Sequence, residues 1–176
     1  MSNANGMTYA PKGKPAPVVK SGEFVFAASA LDHGHIHGMC NGLTEAGGTL
    51  KWVYDPDAKK VEAFLRKFPD AKPARCYEEI LEDSSVRLVA AAAVPSERCA
   101  LGIQAMEAGK DYFTDKGPLT TLEQLEDAKA AVRRTGRKYA VYYGERLHSE
   151  CSVLAGQMVK SGAIGRVIQV LGLGPH

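Results

Sequence analysis

Nothing in the chain approaches the ~20 consecutive apolar residues that a membrane-spanning helix needs. The longest uncharged apolar run, residues 88–95, stops at a proline, and no secretory h-region is expected ahead of the first strand. Charge of one sign is also lacking. Lys and Arg together number 22 against 20 for Asp and Glu, with no basic stripe, so neither nucleic acid nor a membrane surface is an expected partner. Cysteine is sparse: Cys40, Cys76, Cys99 and Cys151 are too far apart for a zinc knuckle and too few for a disulfide scaffold. A reducing compartment, the cytoplasm, is the simplest expectation.

What is present is repetition. The apolar runs FVFAASAL, LKWVY, VRLVAAAAV, KDYF and KYAVYY alternate with amphipathic stretches, the order in which parallel βα units are written. Strands are expected over residues 24–31, 50–54, 86–93, 139–143 and 165–173. Helices are expected from Ile36 to the Gly47-Gly48 pair, around Val61, Phe64 and Phe68, over 78–81, after Pro95-Ser96, after a capping-box spacing of Thr120 and Glu123, and over 149–160. A hydrophobic content of 45% over 176 residues supports one sizeable core but not two. The expected fold is α/β, a Rossmann-type parallel sheet with helices on both faces, followed by the start of a second α/β domain. Residues 1–22, with three prolines and no apolar period, are expected to be a flexible leader. Residues 23–145 then form the dinucleotide-binding domain, and 146–176 open the second, apparently truncated one.

The turn after the first strand is rich in chemistry. In a dinucleotide-binding domain this turn sets pyrophosphate against backbone N–H groups at a helix N-terminus. Its residues Leu31, Asp32, His33, Gly34, His35 and Ile36 are therefore cofactor-contact candidates. The three glycines of G-x-G-x-x-G would fall at 30, 32 and 35, where the chain has Ala30, Asp32 and His35, so the motif taken alone is weak. Asp55 closes the second strand at about the ~20-residue separation expected of the carboxylate that accepts the ribose hydroxyls. It favours NAD, while Lys59 and Lys60 keep NADP open; an Asx-turn ahead of the next helix explains Asp55 otherwise. His33, His35 and His37 also admit a different reading, a metal-dependent hydrolase with imidazole ligands at a strand end. A plain structural role covers them as well.

The segments ALDHGHIHG and VYDPD, then AAVPSERCALGIQAMEAGKDYFTDKGPLTTLEQLEDA and the closing GAIGRV, resemble the glucose-fructose oxidoreductase, inositol dehydrogenase and rhizopine-catabolism family of NAD(P)-dependent dehydrogenases. The resemblance runs from about Phe24 to Leu173. It implies an N-terminal Rossmann domain that binds NAD or NADP, and a C-terminal domain that supplies much of the substrate site and often the homo-oligomer interface. It implies hydride transfer between nicotinamide and a sugar, sugar-like or cyclitol hydroxyl. Pro95 and Ser96 match the family loop beside the nicotinamide ribose, although Ser96 is equally suited to cap the next helix. The family's E-K-P element is matched by Asp115 and Lys116, with Gly117 where proline is usual.

Lys116 is thus the expected catalytic residue. A lysine beside the reacting oxygen stabilises alkoxide character or relays the hydroxyl proton; the alternative is a solvated loop lysine. The histidine that serves as proton-transfer partner in the family belongs to the C-terminal domain, and no segment here matches it. Glu145, Arg146 and His148 are candidates for the interdomain cleft. A non-catalytic cofactor-binding or oligomerisation module of Rossmann type is the alternative function.

Overall fold

The structure is a computed structural model that describes residues 16–144 and 150–172. It divides into two units, one ending at Tyr142 and one containing the described residues from Tyr143 onward. The first unit holds a six-stranded parallel sheet: β1 Val25–Ser29, β2 Thr49–Tyr54, β3 Lys72–Pro73, β4 Val86–Ala91, β5 Asp111–Asp115 and β6 Tyr139–Tyr142. The strand order is β3-β2-β1-β4-β5-β6. Between them run α1 His35–Glu45, α2 Ala58–Leu65, α3 Tyr77–Glu82, α4 Arg98–Glu107 and α5 Leu122–Thr135. This is the doubly wound arrangement expected from the sequence. Its order reverses at β1 and β4, the point where such sheets open a crevice at their carboxyl edge.

The uninterrupted apolar strands follow from burial on both faces. Side chains alternate across a strand, so Phe26 and Ala28 pack with Ile36, Met39, Val53 and Phe64 under α1 and α2. Ala27, Val89 and Ala91 face the opposite way and pack with Ile80, Ala105, Met106 and Tyr112 under α3, α4 and α5. Small residues on β4 let the helices come close, and the same logic applies within α4. A Cβ on Gly102 would lie 2.5 Å from Tyr112 Cδ1 and 2.6 Å from Tyr139 Cε2.

Several local details differ from the sequence reading. The cap of α5 is Thr121, not Thr120: its hydroxyl accepts from Gln124 N–H at 3.1 Å, and Gln124 Oε1 reaches back to Thr120 N–H at 2.7 Å. The capping-box spacing is shifted by one residue, with glutamine in the place given to Glu123, and its side chain returns to the Thr120 amide and not to that of the cap itself. The α4 N-cap is Glu97, without a side-chain cap bond, so Ser96 does not cap it. Strand β3 is two residues long and includes Pro73, too short for any periodic signal. Val18 N–H bonds to Ala46 O at 2.9 Å and Gly22 N–H to Thr49 Oγ1 at 2.9 Å, so residues 18–22 are fastened to the α1–β2 turn.

In the second unit, α6 Glu150–Lys160 ends at Gly162, whose φ is +74°. Residues 165–172 join no strand ladder among the described residues, so the expected strand there is absent. A strand exists through hydrogen bonds to a neighbour, and the described residues offer this segment none. Residue 173, with Glu145, Arg146, His148 and His176, lies outside the described residues.

Packing at Gly102 yields a stability test. Gly102→Ala forces a methyl into the two tyrosine rings, and overpacking of this kind costs about 1–3 kcal/mol. Urea unfolding should show a loss of that size, despite alanine's better helix propensity.

Candidate functional site

The first βα turn keeps the shape of a glycine turn without its glycines. Ala30 leaves β1 with φ +52°, the non-glycine residue of positive φ among those described. An L-residue there is strained by about 1–2 kcal/mol, so the turn is held from outside. Ala30 N–H donates to Tyr54 O at 3.1 Å, Ala92 N–H to Ala30 O at 3.0 Å and His33 N–H to Ala92 O at 3.0 Å. Asp55 supplies the remaining tie: its Oδ2 accepts from Leu31 N–H at 2.7 Å, while Oδ1 accepts from Asp57 N–H at 2.9 Å. Asp55 is 5% exposed. It makes the Asx-turn and at the same time fixes the glycine-position turn, a double duty that its place at the end of β2 makes possible.

Charge at this turn is balanced by Lys60. Its Nζ lies 2.6 Å from Asp32 Oδ1 and 3.7 Å from Asp55 Oδ1. The hydrogen bond with Asp32, helped by the Asp55 charge, raises the lysine pKa. Ala30, Asp32, Tyr54, Asp55, Lys60 and Glu97 border a cleft of about 430 Å³ at the carboxyl edge of β1 and β2. A larger recess of about 730 Å³ lies at the opposite edge, between residues 17–23 and Gly47-Gly48. It is remote from the convergent polar groups, so the smaller cleft is the functional candidate.

On the other side of the crevice, polar groups converge on Asp115 at the end of β5. His35 Nδ1 is 2.8 Å from its Oδ1, and His33 Nδ1 is 3.2 Å from its Oδ2. Lys116 N–H donates to Oδ1 at 2.7 Å, and Arg98 Nη2 lies 3.3 Å from Oδ2. The carboxylate is 2% exposed, Arg98 3%. A buried carboxylate survives only when paired and hydrogen-bonded; His35, the Lys116 amide and Arg98 are its donors, while His33 Nδ1 lies nearby and accepts from His35 N–H at 3.3 Å. Cutting such a pair by removing Arg98 would cost about 3–5 kcal/mol.

His33, His35 and Asp115 offer ligand atoms within 4.8 Å of one another. The guanidinium already neutralises this carboxylate, which disfavours a cation beside it. His37 stands apart from the other two histidines. It stacks on Phe64 and Phe68 at centroid distances of 5.6 and 6.1 Å, and burial followed by the Lys67 charge lowers its pKa. The three-histidine metal centre therefore does not form; His37 is a packing residue.

The other sequence candidates are placed as follows. Gly34 is exposed and caps α1 with φ −60°, so its backbone freedom goes unused. Asp32 and Gly34 have amides without an acceptor among the described residues, at the N-terminus of α1. Leu31 packs against the core on the α1 side. Ile36 is 1% exposed: its side chain belongs to the core, not the crevice. Pro95 and Ser96 are exposed in the turn after β4. Lys116 is half-buried, and its carbonyl accepts from Arg98 Nη1. Arg98 is the residue that sequence reading missed. A signal existed, because it shares a buried stripe of α4 with Gly102, Ala105 and Met106, where a charge needs a partner.

A parallel 3-2-1-4-5-6 sheet, an α1 N-terminus facing the crevice and a carboxylate closing β2 define a dinucleotide-binding domain of the Rossmann class. The chain belongs to the oxidoreductase family with an NAD-binding Rossmann fold, whose model matches residues 28–143. It is similar to a crystal structure from Erwinia carotovora atroseptica SCRI1043, described as a candidate oxidoreductase, at 42% identity and TM-score 0.80, covering 83% of this chain and 44% of that one. It also matches the uncharacterized oxidoreductase YhhX of Escherichia coli (strain K12), 28% identical over 93 residues, 53% of this chain and 27% of that protein. The WlbA dehydrogenase of Bordetella pertussis, solved with NADH and UDP-GlcNAcA, shares the fold at TM-score 0.71 and 16% identity, covering 84% of this chain and 44% of that one. The chain thus spans less than half the length of these relatives.

The strained turn provides a direct test. Ala30→Gly removes the left-handed penalty, partly offset by the freedom that glycine gains in the unfolded chain. A net stabilisation of about 0.5–1 kcal/mol is expected in urea unfolding. A loss of stability would show that the turn carries no strain at residue 30.

Proposed function

We propose that this chain is the cofactor-binding part of an NAD(P)-dependent oxidoreductase that transfers a hydride between nicotinamide and a sugar, sugar-like or cyclitol hydroxyl. The observation that carries the reading is the pairing of Lys116 with the carboxyl edge of the sheet. Lys116 follows β5, its backbone is tied to Asp115, and it sits on the same edge as the α1 N-terminus. The substrate class rests on the family resemblance. Among solved relatives of similar fold are myo-inositol 2-dehydrogenase of Lactobacillus plantarum, at 15% identity, and WlbA, whose complex holds a nucleotide sugar.

The residues fit a dinucleotide. The Asp32 and Gly34 amides and the α1 N-terminus offer donors to pyrophosphate, and the exposed His33 and half-buried His35 line the same turn. Lys60 offsets the Asp32 carboxylate, which would otherwise repel the phosphates. Asp55 faces the cleft where the adenosine ribose would lie; with both oxygens accepting from backbone amides, it uses its remaining lone pairs toward a ribose hydroxyl. Two carboxylates here, with Lys60 already engaged, favour NAD over NADP. Pro95 and Ser96 border the nicotinamide side. When bound, the nicotinamide ring accepts or returns the hydride. Lys116 holds or relays the proton of the reacting hydroxyl.

The intact enzyme is proposed to have residues 23–145 as its cofactor domain and a further α/β domain, opening at 146–176, that supplies substrate contacts and a homo-oligomer interface. No described helix is long and apolar enough to cross a membrane, and a cytoplasmic setting accords with four free cysteines. A non-catalytic module would bind dinucleotide without turnover.

Calorimetric titration of the 176-residue chain with NAD and NADP tests the cofactor claim. Binding of NAD more tightly than NADP is expected, and no heat from either at millimolar concentration would remove it. Asp55→Ala should weaken NAD by about tenfold or more and also cost about 1–3 kcal/mol of stability, because the Leu31 and Asp57 amides lose their acceptor. Unchanged NAD affinity would leave Asp55 as a turn residue alone. Lys116→Ala in a chain carrying its second domain should lower kcat about a hundredfold with little change in NAD affinity. A loss confined to NAD binding would make Lys116 a cofactor contact, and an unchanged kcat/KM would leave it loop surface.

A further inference from the structure

The turn that carries Lys116 is gripped by one buried side chain from another element. Arg98 sits in the first turn of α4. Its Nε–H donates to Ala93 O at 2.7 Å, Nη1 donates to the Lys116 carbonyl and to Gly117 O at 3.2 Å, and Nη2 reaches Asp115 Oδ2 at 3.3 Å. A guanidinium presents its donors in one rigid plane. Acceptors satisfied together by that plane are therefore fixed relative to one another, and here they are the exit of β4 and the exit of β5.

The backbone of the turn explains why such a grip is needed. Gly117 has φ +76°, a path closed to proline, whose ring holds φ near −65°. The restraint that a ring would build into the main chain is absent, and bonds reaching 18 and 19 residues along the sequence replace it. Tyr139 adds a second hold, its hydroxyl donating to Pro118 O at 3.2 Å. The bonding pattern also separates this role from that of a stabilising ion pair. An ion pair needs only the Asp115 carboxylate, yet the other Arg98 bonds go to main-chain carbonyls of the turn and of the β4 exit.

We infer that Arg98 is the positioning residue for Lys116, its guanidinium holding the backbone of residues 115–117 against the end of β4. The functional meaning rests on the role proposed for Lys116; the geometry does not. Lysine cannot replace arginine here, because a single ammonium has no planar fork to span acceptors on two strands.

The test is amide hydrogen exchange by NMR in the 176-residue chain, comparing wild type with Arg98→Lys and Arg98→Met, with thermal melts and calorimetry with NADH and NADPH alongside. The expected result is a variant that still melts cooperatively, in which exchange at Lys116 N–H rises about tenfold or more beyond the rise that the lower global stability gives the β1 and β2 amides of Ala27 and Val53. A rise at Lys116 no larger than that across the sheet would make Arg98 a general stability residue and overturn the inference. So would unchanged exchange at Lys116, or loss of cooperative melting in both variants. If wild type binds neither NADH nor NADPH, the proposed function falls, and the exchange result still decides the role of Arg98.

Discussion

The site depends on the satisfaction of one buried carboxylate. Asp115 ends β5 where water is excluded, and an ionised group there must find donors from the protein. It finds them on three separate pieces of chain: the His35 imidazole of the first βα turn, the guanidinium of α4, and the amide of the residue that follows it. The crevice at the strand-order reversal is therefore more than a gap between diverging loops. Its two walls are joined through Asp115, and the groups proposed for cofactor binding and for proton handling share that anchor.

The opposite wall solves a second problem by similar means. A dinucleotide turn ordinarily relies on glycine to pass through left-handed backbone conformations. Here Ala30 adopts that conformation, and hydrogen bonds from β2, from the β4 exit and from Asp55 hold it there. Strain of this sort persists only where the surroundings over-determine it. The outcome is a turn with glycine geometry and polar side chains, so charge and hydrogen-bonding groups stand where a bare backbone would approach the phosphates.

The layout of the sheet was legible in the sequence because each central strand is apolar on both faces and each helix shows a buried stripe. The placement of Asp55, Lys116 and the histidine turn at the ends of β2, β5 and β1 was legible because strand ends are readable; their roles are those proposed above. What stayed hidden depends on distance along the chain. His35 and Asp115 are 80 residues apart, and no local pattern reports their contact. Arg98 resembles an ordinary solvated residue of a first helical turn until its neighbours on the stripe are considered. Of the readings left open for the three histidines, the shared metal centre fails because His37, inside the first turn of α1, packs on Phe64 and Phe68 away from His33 and His35. The strand expected at 165–173 had the right composition, but composition cannot supply a pairing partner.

Gly117 constrains how this chain could drift. A proline at 117 and an arginine at 98 are two ways to stiffen the same turn, and they require incompatible backbone paths. A mutational step toward proline meets a backbone at +76° that the ring cannot adopt, while a step away from arginine leaves the turn without either brace. Proline at 117 and arginine at 98 are therefore alternative braces for one turn, and this chain carries the one that acts across the fold.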